Sequence, residues 1–131
     1  MQEFSISSSK REDVVDITEQ VKKAVVGKEA KEGKAVLIYT PHATCAIMVN
    51  ENYDPNVCVD ILNFLKQAIP AGKWLHDKID SNADSHIKAS IIGPSVVIPL
   101  ENGKMKLGTW QNIMLGDFDG PKERKIFVEI L

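Results

Sequence analysis

Two aliphatic, β-branched runs, KAVLIYT at residues 34–40 and ATCAIMV at 43–49, stand almost back to back with Pro41 and His42 at their junction. The first is bounded by Gly33 and Pro41 and carries the pattern of a strand buried on at least one face. Proline has no N–H to donate to a ladder and sits at edges or bends. The second run is therefore either the continuation of the first or its partner across a break at Pro41.

With 131 residues, 44% of them apolar, the chain can bury one core, and residues 1–131 are expected to form a single domain. No internal repeat, low-complexity tract or linker interrupts it. Residues 2–8, QEFSISS, alternate loosely and read as a strand. The segment DITEQVKKAVVGKEAKEG places Asp16 and Glu19 at capping-box spacing and reaches Gly33, which predicts one helix ending in a glycine turn. In NENYDPNVCVDILNFLKQAIP, Asp54 is a natural N-cap and Pro55 a natural first-turn residue. Cys58, Ile61, Leu62, Leu65 and Ile69 then recur at helical spacing. The opposite face carries Asn56, Asp60, Asn63 and Gln67, so one polar side points outward or toward a cleft.

ADSHIKASIIG predicts a short helix ending at Gly93. SVVIPL, KLGTWQNIML and RKIFVEIL read as three strands, the first two joined by a hairpin through ENGKM. Strands and helices come in blocks, not in alternation, so the expected fold is α+β, an antiparallel-rich mixed β-sheet packed with two to three helices. A dinucleotide-binding fold is disfavoured by the absence of GxGxxG and of a βαβ rhythm.

The net charge of −2 is spread along the chain, which disfavours nucleic acid and anionic membrane as partners. No apolar segment has the length of a membrane span and MQEFSISSSKRED lacks the features of a signal peptide, so a cytoplasmic location is expected. Cys45 and Cys58 have no metal-site or redox spacing and read as small packing residues.

Several polar residues could carry chemistry. His42 and Thr44 share a face of an extended strand, where an imidazole and a hydroxyl could bind a phosphate oxygen or orient a metal. Asn50, Glu51, Asn52 and Asp54 crowd the turn before the long helix. Turn chemistry and capping account for the others but do not require Glu51. Were residues 42–51 one straight strand, His42 and Glu51 would stand roughly 30 Å apart, so they share a site only if the chain folds back or two subunits meet. In WLHDKIDSNADSH, His76 and His86 flank Asp77, Asp80 and Asp84. With His42 and one carboxylate, these histidines could converge on zinc, and a neighbouring carboxylate could orient an imidazole. Lys88 and Ser90 follow and would suit a diphosphate. Gly108, Thr109, Trp110 and Gln111 interrupt an apolar strand. Trp110 reads as core, and Gln111 is placed to reach a cleft.

The succession HATCAIMVNENYDPNV, Asp60, HD, SHIKASIIGPS, GTWQNIMLGDFDGP and Arg124 resembles the YjbQ family, also described as secondary thiamine-phosphate synthases. The resemblance runs from about residue 34 to the C-terminus. It implies a homotrimer of compact α+β subunits, a small phosphorylated substrate, and the joining of a hydroxymethylpyrimidine diphosphate to a thiazole phosphate with release of pyrophosphate. Carried over, it implies catalytic roles for His42, Glu51, Asp60 and Lys88, and substrate contacts from Thr44, Asn50, Ser90, Thr109 and Gln111. It implies a site built on the polar motif residues, His76, His86 and Asp54 among them. A divalent metal would suit that site, zinc on His42, His76 and His86 or magnesium on Glu51 or an aspartate. The chain departs from the family pattern at Ala43, where a hydroxyl residue is usual, and at Asp117, where glutamate is common. Two other readings stand beside this one: a zinc-dependent hydrolase of a small substrate, and a trimeric small-molecule or metal-binding protein without turnover.

Overall fold

A computed structural model describes all residues from Met1 to Leu131. The chain runs β1 (Gln2–Ser7), β2 (Asp13–Asp16), α1 (Thr18–Ala24), α2 (Gly27–Glu32), β3 (Ala35–Tyr39), β4 (Cys45–Asn50) and α3 (Pro55–Ala68). It continues through α4 (Asp77–Asp80), α5 (Ala83–Ile92), β5 (Ser95–Glu101), β6 (Lys104–Met105), β7 (Asn112–Asp117) and β8 (Glu123–Ile130). The strands form two sheets, one of five strands in the order β1-β8-β3-β5-β6 and one of three in the order β2-β7-β4. The α+β class is as expected. Every ladder is antiparallel, and two of the five helices, α2 and α4, are short. No helix is long and apolar enough to cross a membrane.

The sequence patterns of the two sheets differ because their surroundings differ. In β3 and β8, Val36, Ile38, Ile126 and Val128 are buried and alternate with less buried neighbours, as suits a sheet with one covered face. In β4 and β7 burial is nearly continuous, from Cys45 to Met48 and from Ile113 to Asp117, because this sheet is covered twice. On its inner side Cys45, Ile47, Ile113 and Leu115 meet Val36, Ile38, Ile98, Ile126 and Val128 of the larger sheet, with Val21, Val25 and Ala30 from the first two helices. On the other side Ala46 and Phe118 pack against Leu65 and Ile69 at the end of α3 and Ala89 of α5.

The α3 prediction holds to its cap: Asp54 accepts a 2.9 Å hydrogen bond from the Asn56 N–H, and Pro55 occupies the first turn. α5 ends at Gly93 as predicted. Four expectations are corrected. The single helix over 16–33 is two, broken where Val26 is extended and Gly27 takes φ +80°. Asp16 is not the helix cap but the last residue of β2, a strand the sequence reading missed. The runs on either side of Pro41 are neither continuous nor paired; the chain changes sheets there. The hairpin turn at Asn102–Gly103 exists, but its second strand stops at Met105, and Gly108–Gln111 lie outside any strand.

One polar knot ties the sheets together. Arg124 of β8, in the larger sheet, donates to both carboxylate oxygens of Asp117 of β7, in the smaller, at 2.9 Å each. It also donates to the Thr44 hydroxyl at 3.1 Å and the Asp119 carbonyl at 3.2 Å. Ser8 donates its hydroxyl to Asp117 at 2.7 Å. Burial alone would push the Asp117 carboxyl up, but these hydrogen bonds outweigh it and hold it below the ordinary range. Where the chain turns back from β7 to β8, Gly120 has no room for a side chain. A Cβ there would stand 2.5 Å from both the Lys10 carbonyl and the Ser8 hydroxyl.

The layering predicts that Ile47→Ala lowers unfolding free energy by about 2–5 kcal/mol. Val97→Ala, on the outer face of the larger sheet, should change it by less than about 0.5 kcal/mol in the same urea titration. A carboxyl whose folded pKa is depressed stabilises the fold fully above its unfolded value of about 4 and loses that contribution as pH falls through the folded value. Stability should therefore decline from about pH 5 downward, with Asp16, Asp84 and Asp119 adding to the slope since they are depressed as well. Asp117→Asn should lower stability at neutral pH by about 3 kcal/mol and flatten that acid slope, read by denaturant unfolding at a series of pH values.

Candidate functional site

The polar residues singled out in the sequence fall into three places. The first is the end of the smaller sheet. Asn50 of β4 faces Asn112 of β7 in the ladder, which brings the NENYDP turn beside the GTWQ turn. Tyr53 and Trp110, both largely exposed, touch with ring centroids 5.6 Å apart. Trp110 is thus a surface aromatic and not the core residue its pattern suggested.

The anchor of this corner is Asp16. Its carboxylate accepts from the Thr18 hydroxyl at 2.6 Å, the Thr18 N–H at 2.9 Å, the Asn112 amide at 2.6 Å and the Asn52 amide at 3.0 Å. Burial opposes ionisation, but these donors outweigh it and hold the carboxyl below the ordinary range. Asn52 in turn accepts from the Cys58 thiol. Asn50 accepts from the Glu51 N–H at 2.7 Å, and Gln111 accepts from the Gly108 N–H at 2.9 Å, so both amide oxygens shape their own turns. Glu51 has neither a hydrogen bond nor an ion pair on its carboxylate, and Asp60 is exposed on α3. Thr109 is exposed in its turn.

The second place lies between α4 and α5. His76 and His86 meet edge to face with ring centroids 5.0 Å apart, in an open pocket of about 390 Å³ lined also by Trp74, Leu75, Ala83 and Ile87. Asp77 holds the loop in shape: its two carboxylate oxygens accept from the Trp74 N–H at 2.9 Å and the Ala83 N–H at 3.0 Å. The indole N–H of Trp74 donates to the Pro70 carbonyl at 2.6 Å. The expected support from a neighbouring carboxylate is therefore given to the backbone around His76. The His76 Nε2 atom is buried and has no hydrogen-bond partner. The Asp80 carboxylate is 3.5 Å away, near enough to attract an imidazolium but without hydrogen-bond geometry.

Lys88, on the same helix as His86, does not face this pocket's chemistry. It is fully buried, its ammonium donating to Asp84 at 3.0 Å and to Glu12, while Arg11 grips the other side of Asp84 at 3.0 and 3.2 Å. This corrects its reading as a diphosphate donor: the ammonium is already neutralised inside the fold. The Ser90 hydroxyl donates back to the His86 carbonyl at 2.8 Å, a bond within the helix. Arg11, Glu12 and Asp84 were missed as a set. Only the Asp84–Lys88 spacing of one helical turn hinted at it.

The third place holds His42. Its Nε2 accepts from the Lys125 N–H at 2.9 Å, which leaves the proton of the neutral ring on Nδ1, and it shares a shallow depression with Ser5, Glu123 and Arg124. Burial, and then the charge of Arg124, push its pKa down. Thr44 is buried and its hydroxyl accepts from Arg124. His42 and Thr44 thus belong to the joint between the sheets. Within one chain His42 does not join His76 and His86, and no group of three or more His, Cys, Asp or Glu side chains is placed to hold a metal ion. Both thiols are free; burial pushes Cys45 up to about 12 and raises Cys58 as well, so neither is an activated nucleophile.

This arrangement of strands is shared with known proteins. A family model described as UPF0047 protein YjbQ-like matches residues 2–131. A UPF0047 protein of Archaeoglobus fulgidus is 45% identical over 130 residues, covering 98% of this chain and 99% of the relative. YugU of Bacillus subtilis, also a UPF0047 protein, is 36% identical over 128 residues, covering 98% and 96%. A YjbQ/UPF0047 protein from Clostridium acetobutylicum has a crystal structure that superposes with a TM-score of 0.93 at 43% identity, covering 100% of both chains. A YbjQ-like protein of Sulfolobus solfataricus gives 0.90 at 38%, covering 98% of this chain and 94% of that one. By sequence and by fold, the chain belongs to the YjbQ family, UPF0047.

Proposed function

We propose that the protein is a cytoplasmic enzyme of the thiamine-phosphate synthase type, working on a small phosphorylated heterocycle at the pocket of His76 and His86. The observation that carries the site is the meeting of the His76 and His86 rings in one open pocket, where the His76 Nε2 makes no hydrogen bond and only a 3.5 Å approach to Asp80. A ring nitrogen left without a hydrogen bond at a pocket wall is free to meet a ligand. The apolar wall of Trp74, Leu75 and Ile87 suits the body of a heterocycle. The reaction itself rests on the family resemblance.

Imidazole is a ligand type for a divalent metal, and two of them adjoin here. A bound cation would supply neutralisation of a leaving diphosphate, the task that Lys88 is not free to perform. Glu51 is the carboxylate best suited to move a proton, since nothing in its own chain occupies it. One chain brings two of the ligands, and we assign completion of the site to a second copy within a homotrimer. Tyr53, Phe64, Leu75, Ile79 and Trp110, each more than half exposed, offer apolar side chains for such contacts.

The purified protein is expected to carry a divalent metal, read by elemental analysis, and to lose it in the His76→Ala/His86→Ala double variant while the circular dichroism spectrum is unchanged. Metal retained by the variant would remove both histidines as ligands. Incubated with hydroxymethylpyrimidine diphosphate, thiazole phosphate and Mg²⁺, the protein should form thiamine phosphate and pyrophosphate. Glu51→Gln should slow turnover by about 100-fold with its melting temperature unchanged. Absence of product at high enzyme concentration would leave a binding protein without turnover.

A further inference from the structure

A second pocket lies on another part of the molecule, where the tip of the β5–β6 hairpin leans over the break between α1 and α2. It encloses about 510 Å³, within the range of small-molecule sites, and its lining contains Lys22, Lys31 and Lys104, Val25, Val26 and Met105, with no acidic residue. We propose that this pocket binds a small amphipathic anion, its apolar body against Val25, Val26 and Met105 and its acidic head, a carboxylate or phosphate monoester, among the three ammonium groups.

Charge points to this class of ligand. The chain as a whole carries −2, yet the lining of this pocket includes three lysines and no carboxylate. Lys22 pairs with Glu19 at 3.2 Å, whereas no ion pair in the structure engages Lys31 or Lys104; Glu101, opposite Lys104 in the hairpin, pairs with Lys106 instead. Like charges left together around a concave apolar floor repel one another, and an anion seated between them relieves that repulsion.

The apolar part is equally specific. Val26 is a β-branched residue held extended at φ −140° between two helices and 58% exposed, although the buried Val25 beside it belongs to the main core. An inorganic anion would leave this surface in water; an alkyl or aryl body would cover it.

The wall is also built in advance. The hairpin turns through Asn102 at φ 54° and Gly103 at φ +78°, and a Cβ at Gly103 would stand 3.2 Å from the Lys31 side chain. The absence of that Cβ lets the hairpin tip pack directly on α2 and close one side of the pocket.

The test uses the full-length protein and octyl phosphate below its micelle concentration, followed by titration calorimetry. One-to-one saturable binding is expected. Octanol and inorganic phosphate should each bind at least about tenfold more weakly, because each offers half of the match. Lys31→Glu/Lys104→Glu and, separately, Val26→Asp should each weaken octyl phosphate by about tenfold or more. Lys66→Glu, which changes net charge elsewhere, should leave binding unchanged, and the melting temperature of every variant should stay near that of the parent. Three outcomes overturn the proposal: no saturable binding, equal loss in the Lys66 variant, or binding to anionic phospholipid vesicles with none to free octyl phosphate.

Discussion

The pairing of Arg124 with Asp117 holds the two sheets at their joint, and the placement of Thr44, His42 and the helix that carries His86 follows from it. Two buried charges are unfavourable unless both are fully hydrogen-bonded. Here Arg124 and Ser8 meet both carboxylate oxygens of Asp117, and the guanidinium spends its remaining reach on Thr44 and the Asp119 carbonyl. Such a knot tolerates only one relative position of β7, β8 and the start of β4. From it hangs α5: Asp119 accepts from the Asn82 amide at 2.9 Å, and the Phe118 carbonyl accepts from the Ser85 hydroxyl. The Arg11, Glu12, Asp84 and Lys88 ion pairs then tie the same helix to the segment between β1 and β2. His86 is therefore carried on a helix braced from two directions, while Asp77 separately shapes the loop that offers His76.

The joint decides what several motif residues are free to do. Lys88 and Thr44 look like substrate contacts by chemical type, yet their polar atoms are consumed inside the fold. The Nε2 of His42 is likewise taken by a backbone N–H. Asp117 meets Arg124 through both of its carboxylate oxygens, so the pair is bidentate.

Legibility in the sequence followed the range of the interactions. α3 could be read to its first residue because its cap, its proline and its apolar spacing all lie within one segment. β3 and α5 were bounded by their own glycines and prolines. The break between α1 and α2 was also local, at Val26 and Gly27, but the spacing of Asp16 and Glu19 imitated a capping box and masked it. Asp16 instead serves Asn52 and Asn112, partners 36 and 96 residues away that no local pattern reveals. Sheet membership was hidden for the same reason: Pro41 announces a break but not that the chain leaves one sheet for the other. GTWQ was mistaken for strand interior because its flanks are apolar, although those flanks serve different sheets.

Among the groups not committed to the fold are the Glu51 carboxylate at one corner, the His76 Nε2 and the His86 ring at another, and exposed apolar side chains such as Tyr53, Leu75 and Trp110. A fold this size stabilises itself by satisfying its buried polar groups, so groups left unsatisfied stand out against that background. They are also separated, each able to present one part of a reaction but not to complete it. On the proposed function, a carboxylate and an imidazole pair set at different corners of a subunit would meet across two, and exposed apolar residues would favour that contact by being removed from water. What the single chain itself supplies is a rigid joint, from which these corners are held in fixed positions.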